Sequence, residues 1–241
     1  MAAQFNRIAE RYQKARTLIN TYIVSSFIDV LGNVREKSVL DLACGEGRFT
    51  RMAKQRGASN ALGIDISEKM IDLARQEEAK NPLGIKYEVG DALKLQKLDE
   101  FDVVMAICLL HYAKTEQEII TMCRNIYKNL RADGTLVAVL RNPKNPLYNL
   151  KKYGSVASAK LPLHEGDTIT VRLYANGKKL CSFKNYHWKM ETYNRALREA
   201  GFRNMEWQIC KMTKEGIAKF GKKVEEKYME NPGFVILTCK K

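Results

Sequence analysis

The sequence holds three histidines, two tryptophans and six cysteines in 241 residues, and it clusters neither the histidines nor the cysteines. No CxxC pair occurs and no histidines stand at zinc-ligand spacing, so the reading assigns no metal. The cysteines (44, 108, 123, 181, 210 and 239) are scattered singly, most of them inside apolar runs, where a free thiol behaves as a small hydrophobe. That usage points to a reducing compartment. No apolar run approaches the roughly 18 residues of a membrane span. The opening "MAAQFNRIAERYQK" is broken by Arg7, Glu10 and Arg11 where a signal peptide needs an apolar core. The expectation is a cytoplasmic protein with no membrane partner. Internal repeats and low-complexity segments are absent too, which excludes solenoids.

Acidic residues are the minority charge. Lys and Arg number 41 against 27 Asp and Glu, a formal net charge of +14. Such an excess suits a polyanion such as RNA. It equally suits a lysine-rich solvated surface, because the lysines are spread along the chain in short clusters (151–152, 178–179, 222–223). None of the standard nucleic-acid motifs is visible, so the solvated surface is preferred and nucleic acid is kept as the alternative.

What is present describes a globular chain: 45% hydrophobic and 28% charged residues, in a length suited to one domain. Apolar residues at helical spacing between Phe5 and Leu31 predict one or two amphipathic helices, a cap over residues 1–34. Residues 35–140 then alternate strands and helices. "SVLDLA" reads as a strand, a glycine turn follows, and a helix runs to Arg56. "NALGIDI" is a second strand, and a helix capped by Ser67 ends before Pro82. "IKYEVGDA" and "FDVVMAICLL" are the next strands. "TEQEIITMCRNIYKNLRADG" is a helix closing in a turn at Asp133-Gly134, and "TLVAVL" is the fifth strand. This order predicts βαβ units and a parallel sheet covered on both faces.

Residues 141–190 break the rhythm. They contain two alternating runs separated by Asn176-Gly177, as a type I′ hairpin would be, and read as a lid or substrate platform inserted after the fifth strand. Residues 191–241 return to the α/β pattern, with a helix ending at Gly201, a strand, a basic helix at 213–229 and a closing strand.

The stretch "VLDLACGEGRFT" (39–50) carries the chemistry. A glycine turn after a first strand, with an acid at the end of the second, is the layout of a nucleotide-type cofactor site. That acid is Asp65, 65 − 45 = 20 residues past Gly45, placed to accept hydrogen bonds from two ribose hydroxyls. A dinucleotide fingerprint calls for a third glycine at position 50, where this chain has Thr50. Asp41 and Glu46 in the same turn would repel a pyrophosphate, whereas a phosphate-free adenosyl cofactor with a cationic sulfonium and amino group suits them.

At this point the chain resembles the class I S-adenosylmethionine-dependent methyltransferases. The matching residues are "DLACGEG", "GIDIS", "GDA", "FDVVMAICLLHY" and "LRADGTLV", in order over about residues 35–140. Ala43 stands where many members have glycine. The ends, "FNRIAERY", "YHWKMETYNRALREAGFRNMEWQ" and "EGIAKFGKKVEEKYMENPGFVIL", are similar to the toxoflavin-type small-molecule N-methyltransferases. The resemblance implies an α/β Rossmann-like fold with a seven-stranded, mostly parallel sheet, helices on both faces and the insertion after the fifth strand. It implies S-adenosylmethionine as cofactor, with S-adenosylhomocysteine as product.

By that resemblance Asp41 holds the cofactor's amino group, and the backbone around Ala43, Gly45 and Gly47 approaches its methionine and ribose. Asp65 takes the ribose or caps the next helix, Ile66 and Met70 pack near the adenine, with a core role the alternative for Met70, and Asp91 with Ala92 borders the adenine edge. Tyr12 folds over the cofactor or is a core aromatic. His111, just past the fourth strand, is a base, a substrate-orienting group or a structural histidine. His187, with Tyr186 and Trp188, boxes a flat acceptor or staples the next helix. Arg141, Tyr148 and Tyr153 are candidate substrate contacts. The expected function is N-methylation of a small amine or heterocycle in specialised metabolism. O-methylation, RNA methylation and a non-enzymatic cofactor-binding subunit are the alternatives. The acceptor, the number of methyl groups and the oligomeric state have no signal in the sequence.

Overall fold

The computed structural model describes residues 2–241 other than 16, 152, 153, 213, 215, 216, 219 and 220. In chain order the elements are α1 (Ala2–Ala15), α2 (Thr17–Leu31), β1 (Ser38–Leu42), α3 (Arg48–Gln55), β2 (Asn60–Asp65), α4 (Glu68–Lys80) and β3 (Lys86–Val89). There follow β4 (Phe101–Ile107), a 3-10 turn (Leu110–Tyr112), α5 (Glu116–Lys128) and β5 (Leu130–Arg141). The insertion contributes β6 (Tyr148–Leu150), β7 (Ser155–Ser158), β8 (Thr168–Ala175) and β9 (Lys178–Tyr186). The chain closes with α6 (Met190–Ala200), β10 (Arg203–Ile209), α7 (Lys222–Glu230) and β11 (Phe234–Lys240).

Seven strands form one sheet in the order β10-β11-β5-β4-β1-β2-β3. The five β1–β5 run parallel, and β11 lies antiparallel to both β5 and β10. Strands buried on both faces explain the near-continuous apolar runs. Along β5, Leu136, Ala138 and Leu140 face the core built with α5 and α6, while Val137 and Val139 face the one built with α2 and α3. The order reverses between β4 and β1. In such sheets ligands bind beyond the carboxyl ends at that point.

The insertion is more than a hairpin. Strands β6–β9 form a separate four-stranded antiparallel sheet. Asn176 and Gly177 both have positive φ (50° and 74°), as the type I′ turn between β8 and β9 requires. Ile169, Val171 and Leu173 of β8 point to one face, and α1 lies on it through Ile8 and Ala15, with Phe5 and Tyr12 alongside. The N-terminal cap is therefore divided: α1 belongs to the small sheet, whereas Ile23, Phe27 and Leu31 of α2 pack on the large one.

Several boundaries differ from expectation. The fifth helix stops at Lys128, because the Asn129 side chain is held by Gln96 O, Asn125 O and Leu98 N. Leu130 then pairs with Phe101, and β5 begins five residues earlier than its apolar run suggested (135 − 130 = 5). The basic helix expected at 213–229 is described over Lys222–Glu230. Ser67 caps α4 by accepting from Met70 N, and Gly201 ends α6 at φ 103°, both as expected. Among the described residues no helix is long and apolar enough to cross a membrane, and no cluster of His, Cys, Asp and Glu could hold a metal.

Candidate active site

The turn after β1 is built from left-handed backbone. Ala43, Gly45 and Gly47 have φ of 61°, 58° and 82°. Cys44 N still donates to Ile64 O (3.1 Å), so the turn stays tied to β2 as it bends away. The two glycines serve different purposes. A Cβ on Gly45 would meet nothing within 4 Å, so that backbone borders open space. A Cβ on Gly47 would lie 2.6 Å from Tyr87 Cζ, and Tyr87 Oη donates to Gly47 O (3.3 Å). Gly47, expected beside the cofactor, is absent from the lining of the cavity described below, and its small size makes room for the Tyr87 ring.

Asp65 ends β2 and is almost fully buried. Its Oδ2 accepts from Gly45 N (3.0 Å) and its Oδ1 from Ser67 N (2.8 Å), so one carboxylate fixes both the glycine turn and the start of α4. Burial raises its pKa, and the two N–H donors oppose the rise. Beyond β3, Asp91 Oδ1 accepts from Leu93 N (2.9 Å), which orients this loop toward the same crevice.

These elements enclose a cavity of about 680 Å³, counted to its open mouth. Ala43 and Gly45 line it from the first turn, Asp65, Ile66 and Met70 from the second, and Asp91 and Ala92 from the third. Tyr12 and Phe5 of α1 cover it, and Cys108, Leu109 and Tyr112 close the β4 side. Asp41 stands behind this lining. Its side chain is fully buried, Thr50 Oγ1 donates to its Oδ2 (2.6 Å), and its Oδ1 has no partner. Thr50, which takes the place of a third glycine, therefore holds the acid of the turn.

Burial, with a smaller push from Asp65, raises Asp41 to about pKa 7 against the Thr50 hydrogen bond. A folded value above the unfolded one favours the folded state fully below about pH 4, and that contribution is lost as pH rises through about 7. The melting temperature of the unliganded protein is expected to fall between pH 4 and 7 more steeply than that of Asp41→Asn. The difference corresponds to a few kcal/mol. Parallel curves for the two proteins would contradict the assigned value.

A second cavity of about 330 Å³ shares Tyr12, Cys108 and Tyr112 with the first. Arg141 and Phe234 line it from the large-sheet side, and Tyr148, Val171, Phe183 and Asn185 from the small sheet. His111 is there too. Its Nδ1 accepts from Arg141 N (3.3 Å), and burial beside that cation drives its pKa down to about 3. With Nδ1 accepting, the ring is neutral and Nε2 carries the proton, leaving a donor.

The aromatic box is corrected as well. Trp188 donates from Nε1 to Ala113 O (3.0 Å) and belongs to the main core, against which Tyr186 also packs. His187 pairs its backbone with Gly166 and Asp167. None of the three lines either cavity. Tyr153 lies outside the described residues.

Sequence reasoning missed Cys108, Tyr112 and Asn185. Cys108 leaves β4 at φ 59°, the same left-handed exit that Ala43 makes from β1, and sits at the junction of the two cavities. Asn185 had a usable signal: it stands in the inward phase of β9 after Cys181 and Phe183, where an apolar residue is the norm.

The sequence model of the family described as "Methyltransferase domain" matches residues 39–134. The chain is 29% identical over 159 residues to a ubiquinone biosynthesis O-methyltransferase of Neisseria meningitidis, covering 61% of this chain and 64% of that one. It is 28% identical over 170 residues to the N-demethylindolmycin N-methyltransferase of Streptomyces griseus, covering 68% of each. It spans 55 to 64% of the length of the first curated relatives it matches. Among solved structures, an S-adenosylmethionine-dependent methyltransferase from Mesorhizobium loti superposes with a TM-score of 0.68 at 23% identity, over 93% of this chain and all of that one. Residues 39–134 match the methyltransferase-domain model, and the chain as a whole has the α/β Rossmann-like fold of S-adenosylmethionine-dependent methyltransferases.

Proposed function

We propose that this protein transfers a methyl group from S-adenosylmethionine to a nitrogen of a small molecule. The observation that carries the reading is the pair of joined cavities, one bordered by acids and open glycine backbone, the other small and walled by two sheets and α1. The first suits the cofactor. Asp41 Oδ1 is buried without a partner, an anionic acceptor left over for a cationic amino group. Each oxygen of Asp65 accepts one backbone N–H and keeps lone pairs for ribose hydroxyls. Ile66, Met70 and Ala92 supply an apolar slot for a base, with Asp91 at its edge.

When bound, S-adenosylmethionine supplies a methyl carbon already activated by a sulfonium. The chain's own task is then to orient the acceptor, exclude water and leave the nucleophile's lone pair free. Tyr12, Cys108 and Tyr112, common to both cavities, form the threshold at which acceptor and cofactor meet. No carboxylate lines the second cavity, and His111 is neutral at physiological pH. A nucleophile entering there must bring its own lone pair, as a neutral amine or heterocyclic nitrogen does. O-methylation is the second reading, favoured by the quinone O-methyltransferase relatives and by the Arg141 cation, which would hold an ionised hydroxyl.

His111 acts in this scheme as a fixed donor. His111→Phe is expected to lower kcat/KM by about tenfold to a hundredfold, the worth of one buried hydrogen bond and the order it imposes. S-adenosylhomocysteine affinity is expected to stay within a few fold. The pH profile of kcat should keep its shape between pH 5 and 8. An inflection near pH 6.5 that vanishes in the variant would restore His111 as a base.

The test of the whole reading is calorimetry with S-adenosylhomocysteine, repeated with RNA at low and high salt. Stoichiometric binding indifferent to RNA supports a small-molecule enzyme. No binding overturns the reading, and salt-dependent RNA binding transfers it to an RNA substrate.

A further inference from the structure

The second cavity contains a positive charge with no anionic partner among the described residues. Arg141, the last residue of β5, is 5% exposed. Its Nη1 reaches only the Pro146 carbonyl (3.4 Å), and its Nε is buried with no partner. Among the described residues no ion pair involves it, and no Asp or Glu lines the cavity. The rings of Tyr148 and Phe234 lie 5.5 and 5.9 Å from the guanidinium carbon, which offsets part of the lost hydration and fixes the plane of the group. A guanidinium buried in this way calls for an anion, and its planar fork matches an oxyanion with two in-plane oxygens best.

From the small-sheet side Asn185, fully buried, presents both Oδ1 and Nδ2 without partners. One acceptor and one donor side by side match the edge of an amide or a cyclic imide, amidine or similar heterocycle. The His111 Nε2–H adds a further donor. Buried polar groups in folded proteins are nearly always paired. Two such side chains converging on one cavity, with the His111 donor beside them, describe the ligand they lack.

We propose that the methyl acceptor is a small planar molecule carrying an oxyanion, a carboxylate or an ionised ring hydroxyl, which pairs with Arg141 while Asn185 pairs with a polar edge of the same molecule. The inference rests on the methyl-transfer reading above. Arg141 and Asn185 lie outside the residues shared by the two cavities, so the oxyanion is the handle by which the acceptor is held, with the nucleophile at the opposite end, near Tyr12 and Cys108.

The experiment uses the protein saturated with S-adenosylhomocysteine and measures binding of matched probes by calorimetry: isomeric aminobenzoates against their aminobenzamides, and aminonitrophenols against their methyl ethers. At least one anionic probe is expected to bind ten times tighter than its neutral partner. The pair that shows the preference distinguishes carboxylate from ring hydroxyl. Arg141→Met is expected to abolish the preference, and Arg141→Lys to keep part of it by retaining the charge without the fork.

Should Arg141→Met fail to fold by circular dichroism, Asn185→Asp places a negative charge in the same cavity and is expected to reverse the preference. Equal binding of all pairs in the wild type, no binding of any anion, or a preference that survives these variants overturns the proposal. Failure of the wild type to bind S-adenosylhomocysteine would instead remove the methyl-transfer reading beneath it.

Discussion

Asp65→Ala is expected to weaken S-adenosylhomocysteine binding by at least a hundredfold. If Asp65 takes the ribose, two hydroxyl-to-carboxylate hydrogen bonds disappear, each worth about 1.5–3 kcal/mol when one partner is charged. Together they correspond to roughly two to four orders of magnitude. The variant is also expected to lose stability. Gly45 N and Ser67 N each lose the carboxylate oxygen that satisfied them. The cost of two freed backbone donors is about 2–4 kcal/mol, reduced where water enters the space left by the side chain. Calorimetry and denaturant unfolding separate the two effects. Asp65→Asn sharpens the comparison, because its amide nitrogen faces one of the two N–H groups while its oxygen can still accept from the other. Retained affinity in Asp65→Ala at a concentration where the variant is folded would remove Asp65 from ribose recognition.

Gly47→Ala is expected to be the most destabilising single methyl group in the turn, with a loss of about 3 kcal/mol or more. Two costs add. Left-handed backbone with a Cβ costs roughly 1–2 kcal/mol, and forcing a methyl into a packed site costs typically 1–3 kcal/mol. The Tyr87 ring cannot retreat easily, since a Cβ on Gly63 would also lie 2.6 Å from it: the ring occupies a slot between two glycines. Gly45→Ala meets no neighbour within 4 Å, so only the backbone term of about 1–2 kcal/mol applies. Its main effect is expected in cofactor affinity, because the new methyl would occupy the cavity. Urea unfolding and S-adenosylhomocysteine titration of both variants should therefore give opposite rankings. If Gly45→Ala proved the less stable of the two, the packing role of Gly47 would be wrong.

The cofactor side of this protein was legible because it depends on backbone. The turn at 43–47 and the acid at 65 follow from strand-to-helix connections that leave a recognisable pattern of glycine and carboxylate at local spacing. Seven of the nine expected cofactor residues line the first cavity, and the two that do not, Asp41 and Gly47, act one layer behind it. The acceptor side was legible only in part, because it is assembled by tertiary packing. His111, Arg141 and Tyr148 do converge, yet which residues of the "NYHW" stretch face inward depends on the pairing of β8 with β9, which turns Asn185 toward the cavity and sends Trp188 to the core. The ionisation of His111 was beyond sequence reasoning altogether, since it depends on burial beside Arg141. The fourfold small sheet was missed for a related reason. Strands of three and four residues, as in β6 and β7, are too short to show a period.

The small sheet shares no hydrogen-bonded strand with the large one. Its contribution to the second cavity comes from residues 148–185, all of them beyond the stretch 39–134 that the family model matches. If the second cavity takes the acceptor, the protein is divided like a tool with a partly exchangeable head: one wall of that cavity can be rewritten within the insertion while the residues around the first cavity stay intact. A ubiquinone biosynthesis O-methyltransferase and an N-demethylindolmycin N-methyltransferase can then match the same chain at nearly equal identity. Exchanging residues 142–187 between such relatives is the direct way to move a specificity from one to another.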